Sequence, residues 1–173
     1  MIIDSLKAEK DAVVCAAAHI AAAARTAPKT RGIDKLETFV VTGDDIKTLS
    51  DKMKEIAPEN GKFLLRDADN ILKAHAVVMI GVEMTPYSLN CGYCGFDTCA
   101  KAEEAGAACV FAPTDLGIAI GSAVSMAADM RLDCRVMYSV GRAFRLLFGV
   151  DGKKMWIGIP LSATGKSPFF DRK

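Results

Sequence analysis

Apolar positions along this chain follow two rhythms, one with the period of a helix and one of short β-rich runs, and the switches between them lay out the elements. From 5 to 24, Leu6, Val13, Val14, Cys15, Ile20 and nine alanines follow Lys7, Glu9, Lys10 and Asp11. That pattern predicts a well-buried helix ending at Arg25-Thr26-Ala27-Pro28. Thr38-Phe39-Val40-Val41 reads as a strand closed by Gly43, and Ile46, Leu49, Met53 and Ile56 recur at helical spacing behind Asp44 and Asp45. Pro58, Asn60 and Gly61 break that helix, 67–73 predicts a short one, and the uninterrupted apolar run from Ala76 to Val82 predicts a central strand. Thr114 is placed to cap a long helix from Asp115 to about Met130, with Gly117 and Gly121 in close contact with a sheet. Asp115 and Asp129 read as its end acids. A strand over 135–138, a helix over 140–148 capped by Ser139, and a last strand from Lys154 to Ile159 complete the series.

Strands and helices alternate without any repeat, which predicts one domain over 1–173, a layered α/β or α+β unit on about four strands, with residues 84–113 inserted as a loop. The composition is 51% hydrophobic and 25% charged, enough for a sizeable core and unlike a disordered chain. Twenty-two Lys and Arg against 21 Asp and Glu leave a net charge of +1, without the global basic field of a nucleic-acid binder. No charge-free run exceeds 13 residues, short of a bilayer span, and the N-terminus lacks the features of a secretory signal. A cytoplasmic protein with reduced thiols, bound to neither membrane nor nucleic acid, is expected.

Against that background the six cysteines are unevenly placed, three of them within Asn90-Cys91-Gly92-Tyr93-Cys94-Gly95-Phe96-Asp97-Thr98-Cys99, and Cys109 follows ten residues later. The spacing C-x2-C-x4-C-x9-C suits four thiolates wrapped around one [4Fe-4S] cluster. Gly92 and Gly95 would permit unusual backbone angles in the tight loop, Asp97 or Thr98 would cap a helix starting near Cys99, and Gly106 would end it. Structural zinc also takes four thiolates, but its common pattern is a pair of C-x2-C knuckles, so the spacing favours iron–sulfur over zinc and over metal-free cysteines. Cys15 and Cys134 stand alone and read as small buried apolar residues; His19 and His75 lack paired spacing and read as packed or surface histidines. Arg25, Lys29 and Arg31 put three cations on one short segment, suited either to a phosphate or to solvent.

The motif Asn90-Cys91-Gly92-x-Cys94-Gly95-Phe96-x-x-Cys99, followed by an Ala/Glu helix, resembles the [4Fe-4S] domain found in the iron–sulfur component of electron-transport complexes and in corrinoid iron–sulfur proteins. The chain as a whole resembles the bacterial and archaeal ferredoxin domain-containing proteins. Its flanks, Ala24 to Pro28 with Phe39-Val40-Val41 and Asp44-Asp45, and the small-residue helix 115–130 with Ile157-Gly158-Ile159-Pro160, resemble a trimmed nitroreductase. That resemblance implies an α+β fold, an α/β/α sandwich around a mixed sheet, a homodimer, and FMN whose phosphate would lie by Arg25, Lys29 and Arg31. The tail Lys166 to Arg172, with Phe169 and Phe170, would pack across a second copy of the chain or on its own core. The expected function is single-electron transfer through a cluster on Cys91, Cys94, Cys99 and Cys109, with a redox donor or acceptor protein, and a flavin-dependent reductase is one form of it. The alternatives are a domain that zinc or a cluster merely stabilises, and a redox sensor.

Overall fold

In the computed structural model, residues 2–149 and 153–170 are described. The chain runs α1 (Ser5–Thr26), β1 (Leu36–Thr42), α2 (Asp44–Asn60), α3 (Phe63–Ile71), β2 (Ala76–Glu83), α4 (Cys99–Glu104), α5 (Phe111–Asp129), β3 (Asp133–Cys134), α6 (Tyr138–Leu147) and β4 (Lys154–Ser162). Four strands form one sheet in the order β1-β2-β4-β3. Every residue of β2 except Glu83 is buried, as its continuous apolar run requires. Leu36 pairs with Val82 and Thr42 with Ala76 on one side of β2, Ala76 with Leu161 and Val82 with Met155 on the other.

The sheet is antiparallel at each of these pairings, where a mixed sheet was expected. The reason lies between β1 and β2. A single helix would carry the chain back to the start of β1 and give a parallel neighbour. Here α2 and α3 run out and back, so β2 begins where β1 ended: Thr42 faces Ala76.

Helices cover both faces, giving an α/β/α sandwich. Side chains alternate across β2 with the strand period of two. Val78, Ile80 and Val82 join Ile157, Ile159 and Leu161 of β4 under α1 and α5, packed against Val13, Ile20 and Leu116. Val77 and Met79 face the other way, into a core with Leu49, Met53, Leu64, Phe144 and Trp156 from α2, α3, α6 and β4. Each fully buried Leu or Ile contributes roughly 1.5–3 kcal/mol. Phe169 of the C-terminal tail docks in this second core, while Phe170 stays exposed under the Arg135 guanidinium. Asp171 and Arg172 of that tail lie outside the described residues.

Several local expectations change. α3 begins at Phe63 rather than 67, and α5 at Phe111 rather than Asp115. Pro113 sits inside the first turn of α5, where no intrahelical N–H is required, so it does not delay the helix. Thr114 therefore caps nothing, and its hydroxyl donates to the Val110 carbonyl at 3.0 Å. Ser139 does not cap α6 either; its hydroxyl donates to Asp67 at 2.7 Å. Gly117 and Gly121 do not touch the sheet. Ala112, Leu116, Ala119, Ala123 and Ala127 line the buried face of α5, and two residues of rotation from Ala119 or Ala123 turn the glycines to solvent. By length and composition alone α5 would pass for a membrane span, yet it packs along α1 and β2 and carries the buried Asp115. Cys15 is exposed on α1, not buried. His19 is exposed and His75 half-buried, while Cys134 is half-buried, its thiol pushed up by burial and then by Asp133.

The close contact that does depend on glycine lies elsewhere. A Cβ at Gly141, in α6, would collide with the Trp156 carbonyl oxygen and carbon in β4. Both are backbone, so neither can yield. Gly141→Ala is expected to destabilise the fold by about 3 kcal/mol, read as a lower urea midpoint at unchanged slope, whereas Gly117→Ala should be neutral or slightly stabilising.

Candidate metal centre

The cysteine-bearing segment leaves β2 at Glu83, and cations from the stretch before β1 fix its course. Lys35 donates to Thr85 O at 2.9 Å, Thr85 Oγ1 at 2.7 Å and Pro86 O at 2.9 Å, with its ammonium 4.3 Å from the centre of the Tyr87 ring. Arg31 donates to Tyr87 O at 2.7 Å. Tyr87 is almost wholly buried, and its hydroxyl donates to Asp115 Oδ2 at 2.8 Å. Burial first, then the hydrogen bond to Asp115, raises the phenol pKa, so Tyr87 stays a donor. Asp115, also buried, accepts from Thr30 N at 3.1 and 3.0 Å and from Thr30 Oγ1 at 2.8 Å. One carboxylate thus ties three parts of the chain together: the turn at Thr30, the root of the cysteine loop, and α5.

Beyond Tyr87 the backbone turns sharply. Asn90 has φ +48°, Gly92 +75° and Gly95 +87°, with Gly95 N bonded to Gly92 O at 2.9 Å. A Cβ on either glycine would meet nothing within 4 Å, so positive φ and not crowding calls for glycine. Asn90 and Cys99 are joined reciprocally: Cys99 N donates to Asn90 Oδ1 at 2.8 Å, and Asn90 N donates to Cys99 Sγ at 3.3 Å. Cys99 opens α4 as expected. Thr98 rather than Asp97 is its cap, accepting from Lys101 N at 3.3 Å, and Asp97 instead pairs with the Lys101 ammonium. Gly106 ends the turn at φ +65°, and Ala107 N returns to Ala102 O at 2.8 Å. The chain then presents Cys109, whose N–H donates to Met84 O at 2.9 Å.

These turns bring Cys91, Cys94, Cys99 and Cys109 to the wall of one narrow pocket, a cavity of about 10 Å³, with Tyr87, Leu89, Asn90, Phe96 and Phe111 among the lining residues. Cys109 is buried, Cys94 and Cys99 half-buried, and Cys91 exposed, so the pocket runs from the core to the surface. Among the described residues no three Cys, His, Asp or Glu side chains converge closely enough to hold a single metal ion. Four thiolates on one pocket wall are the donor set of a [4Fe-4S] cluster and equally of structural zinc.

The other predicted site residues sit apart from this pocket and are engaged within the chain. Arg25 donates to Leu36 O and pairs with Asp34 at 2.7 Å. Lys29, with its side chain 10% exposed, donates to Arg25 O and to Ala27 O. Arg31 reaches Tyr87 O. They brace the segment before β1 and the root of the cysteine loop. The sequence left Lys35 and Tyr87 unmarked and offered Asp115 only as a helix-end acid.

A protein of Archaeoglobus fulgidus, described as uncharacterized, is 38% identical over 181 residues, spanning 99% of this chain and 98% of its own length. The family described as "uncharacterized protein containing a ferredoxin domain (DUF2148)" matches residues 105–172, from just before Cys109 to the tail. The chain belongs to this ferredoxin-domain family. Among solved structures, an oxidoreductase containing FMN aligns with TM-score 0.62 at 10% identity over 87% of this chain and 67% of its own. The nitroreductase CinD from Lactococcus lactis, in complex with nicotinic acid, aligns at 0.62 and 14% identity over 95% and 81%. A nitroreductase with bound FMN from Bacteroides fragilis aligns at 0.61 and 13% over 100% and 84%. Identities this low speak to architecture, and the family member therefore has a nitroreductase-like fold.

Proposed function

We propose that Cys91, Cys94, Cys99 and Cys109 hold one [4Fe-4S] cluster and that the protein carries single electrons. The observation that supports this most is that four cysteines of one C-x2-C-x4-C-x9-C loop line one pocket. Membership of a ferredoxin-domain family agrees with it. When bound, such a cluster supplies a one-electron store. The chain contributes the rest. Asn90 N–H at Cys99 Sγ favours a ligand sulfur carrying negative charge, and such bonds tune potential. Phe96 and Phe111 give the pocket apolar walls, and Tyr93, 75% exposed, packs on Phe111 with ring centres 6.0 Å apart. Exposed Cys91 sets one edge of the centre where a redox protein can approach.

Redox titration under anaerobic conditions tests this reading: a reversible one-electron transition within the iron–sulfur range is expected. A protein that binds metal and melts earlier on chelation, but shows no redox transition, would instead be a metal-stabilised domain. A flavin-coupled form, with FMN phosphate near Arg25, Lys29 and Arg31 in a homodimer, draws on the likeness to FMN-containing folds. Those cations already serve the chain internally, so the cluster and not the flavin carries the proposal. Purified protein with flavin absorption would establish the coupled form.

A further inference from the structure

A second opening lies where β2 ends and β4 begins. Its cavity, about 260 Å³ between α6 and β4, is lined chiefly by Tyr138, Arg142, Arg145, Leu146, Met155 and Trp156. The spacing from Tyr138 through Gly141 and Arg142 to Arg145 is one face of α6, while Val140, Ala143 and Phe144 bury the other. Lys154 is already paired with Glu37 at 2.5 Å. Arg142 and Arg145 are exposed and have no ion-pair or hydrogen-bond partner among the described residues. Two guanidiniums of one helix face, with no acidic partner among the described residues, stand over a cleft whose remaining lining is Lys154 and apolar or aromatic side chains. The Trp156 indole N–H is buried without a hydrogen-bond partner among the described residues. Met84 also lines the cleft, and its carbonyl accepts from Cys109 N–H.

We propose that this cleft binds a small organic anion, with a carboxylate or phosphate head held by Arg142 and Arg145 and an apolar body against Tyr138, Leu146 and Met155. Guanidinium forks match the planar or tetrahedral oxyanion, and Tyr138, 52% exposed, offers a flat surface for the body. The binding stands on this cleft alone and needs no cluster. Gly141 matters indirectly, because the close approach of α6 to β4 sets the floor of the cleft.

The chain has a single tryptophan, Trp156, and it lines the cleft, so its fluorescence reports occupancy. Full-length protein would be titrated with phenyl phosphate and with benzoate, with benzamide as the neutral comparison, and calorimetry would repeat each titration. Saturable binding of at least one anion and none of benzamide is expected. The Arg142→Gln/Arg145→Gln protein, confirmed folded by its thermal melt, should bind at least about tenfold more weakly. Tighter phenyl phosphate would assign a phosphate head, and tighter benzoate a carboxylate. No saturable binding of either anion, or equal binding by the double variant, would overturn the proposal. Iron content measured on the same samples keeps its failure distinct from failure of the cluster reading.

Discussion

Cys94→Ser and Cys99→Ser, purified without oxygen, are each expected to retain fewer than about one iron per chain where the parent retains about four. Cys15→Ser and Cys134→Ser should keep the parent content. The contrast rests on position: Cys94 and Cys99 line the pocket, Cys15 is exposed on α1, and Cys134 lies in β3 away from the loop. Serine keeps nearly the same shape but gives iron a poor ligand. Loss of the Asn90 N–H to Cys99 Sγ contact adds to the effect at position 99. Equal iron loss in all four variants would point to general instability, and full retention in the first two would remove Cys94 and Cys99 from the ligand set.

The second large effect concerns Asp115. Asp115→Ala is expected to destabilise the protein by about 3–4 kcal/mol, because Tyr87 OH, Thr30 OH and Thr30 N–H lose their acceptor inside the fold. Tyr87→Phe removes only one of these bonds and should cost about 1–2 kcal/mol. Both changes act on the root of the cysteine loop, so metal retention should fall in the same order. Denaturant midpoints for the two variants decide it. A Tyr87→Phe protein as unstable as Asp115→Ala would mean that the ring contacts, not the carboxylate, hold the loop.

The parts of this molecule that its sequence made legible are those written in local patterns. The uninterrupted run from Ala76 to Val82 announced the doubly covered strand, and the alanine-rich helix and the Trp156 strand followed from their own periodicity. That Cys91, Cys94, Cys99 and Cys109 come together was equally readable, since their close spacing is a local property, and the fold places all four in one pocket wall. What escaped depends on distance along the chain. Asp115 passed for a helix-end acid because its partners, Thr30 and Tyr87, lie 85 and 28 residues away. Both helices between β1 and β2 were predicted, α3 starting four residues late, yet strand direction escaped because it depends on those helices running out and back, which no local pattern records. The cations of the Arg25–Arg31 segment could be counted but not placed. Only the fold shows that Arg31 reaches the cysteine loop and that Arg25 and Lys29 brace their own turn.

One anaerobic sample tests the cluster directly. Protein purified anaerobically would be assayed for iron, zinc and acid-labile sulfide, and its visible spectrum recorded before and after dithionite. About four irons and four sulfides per chain, with a broad band near 400 nm that bleaches on reduction, is the predicted result. One zinc per chain and a colourless solution would contradict it.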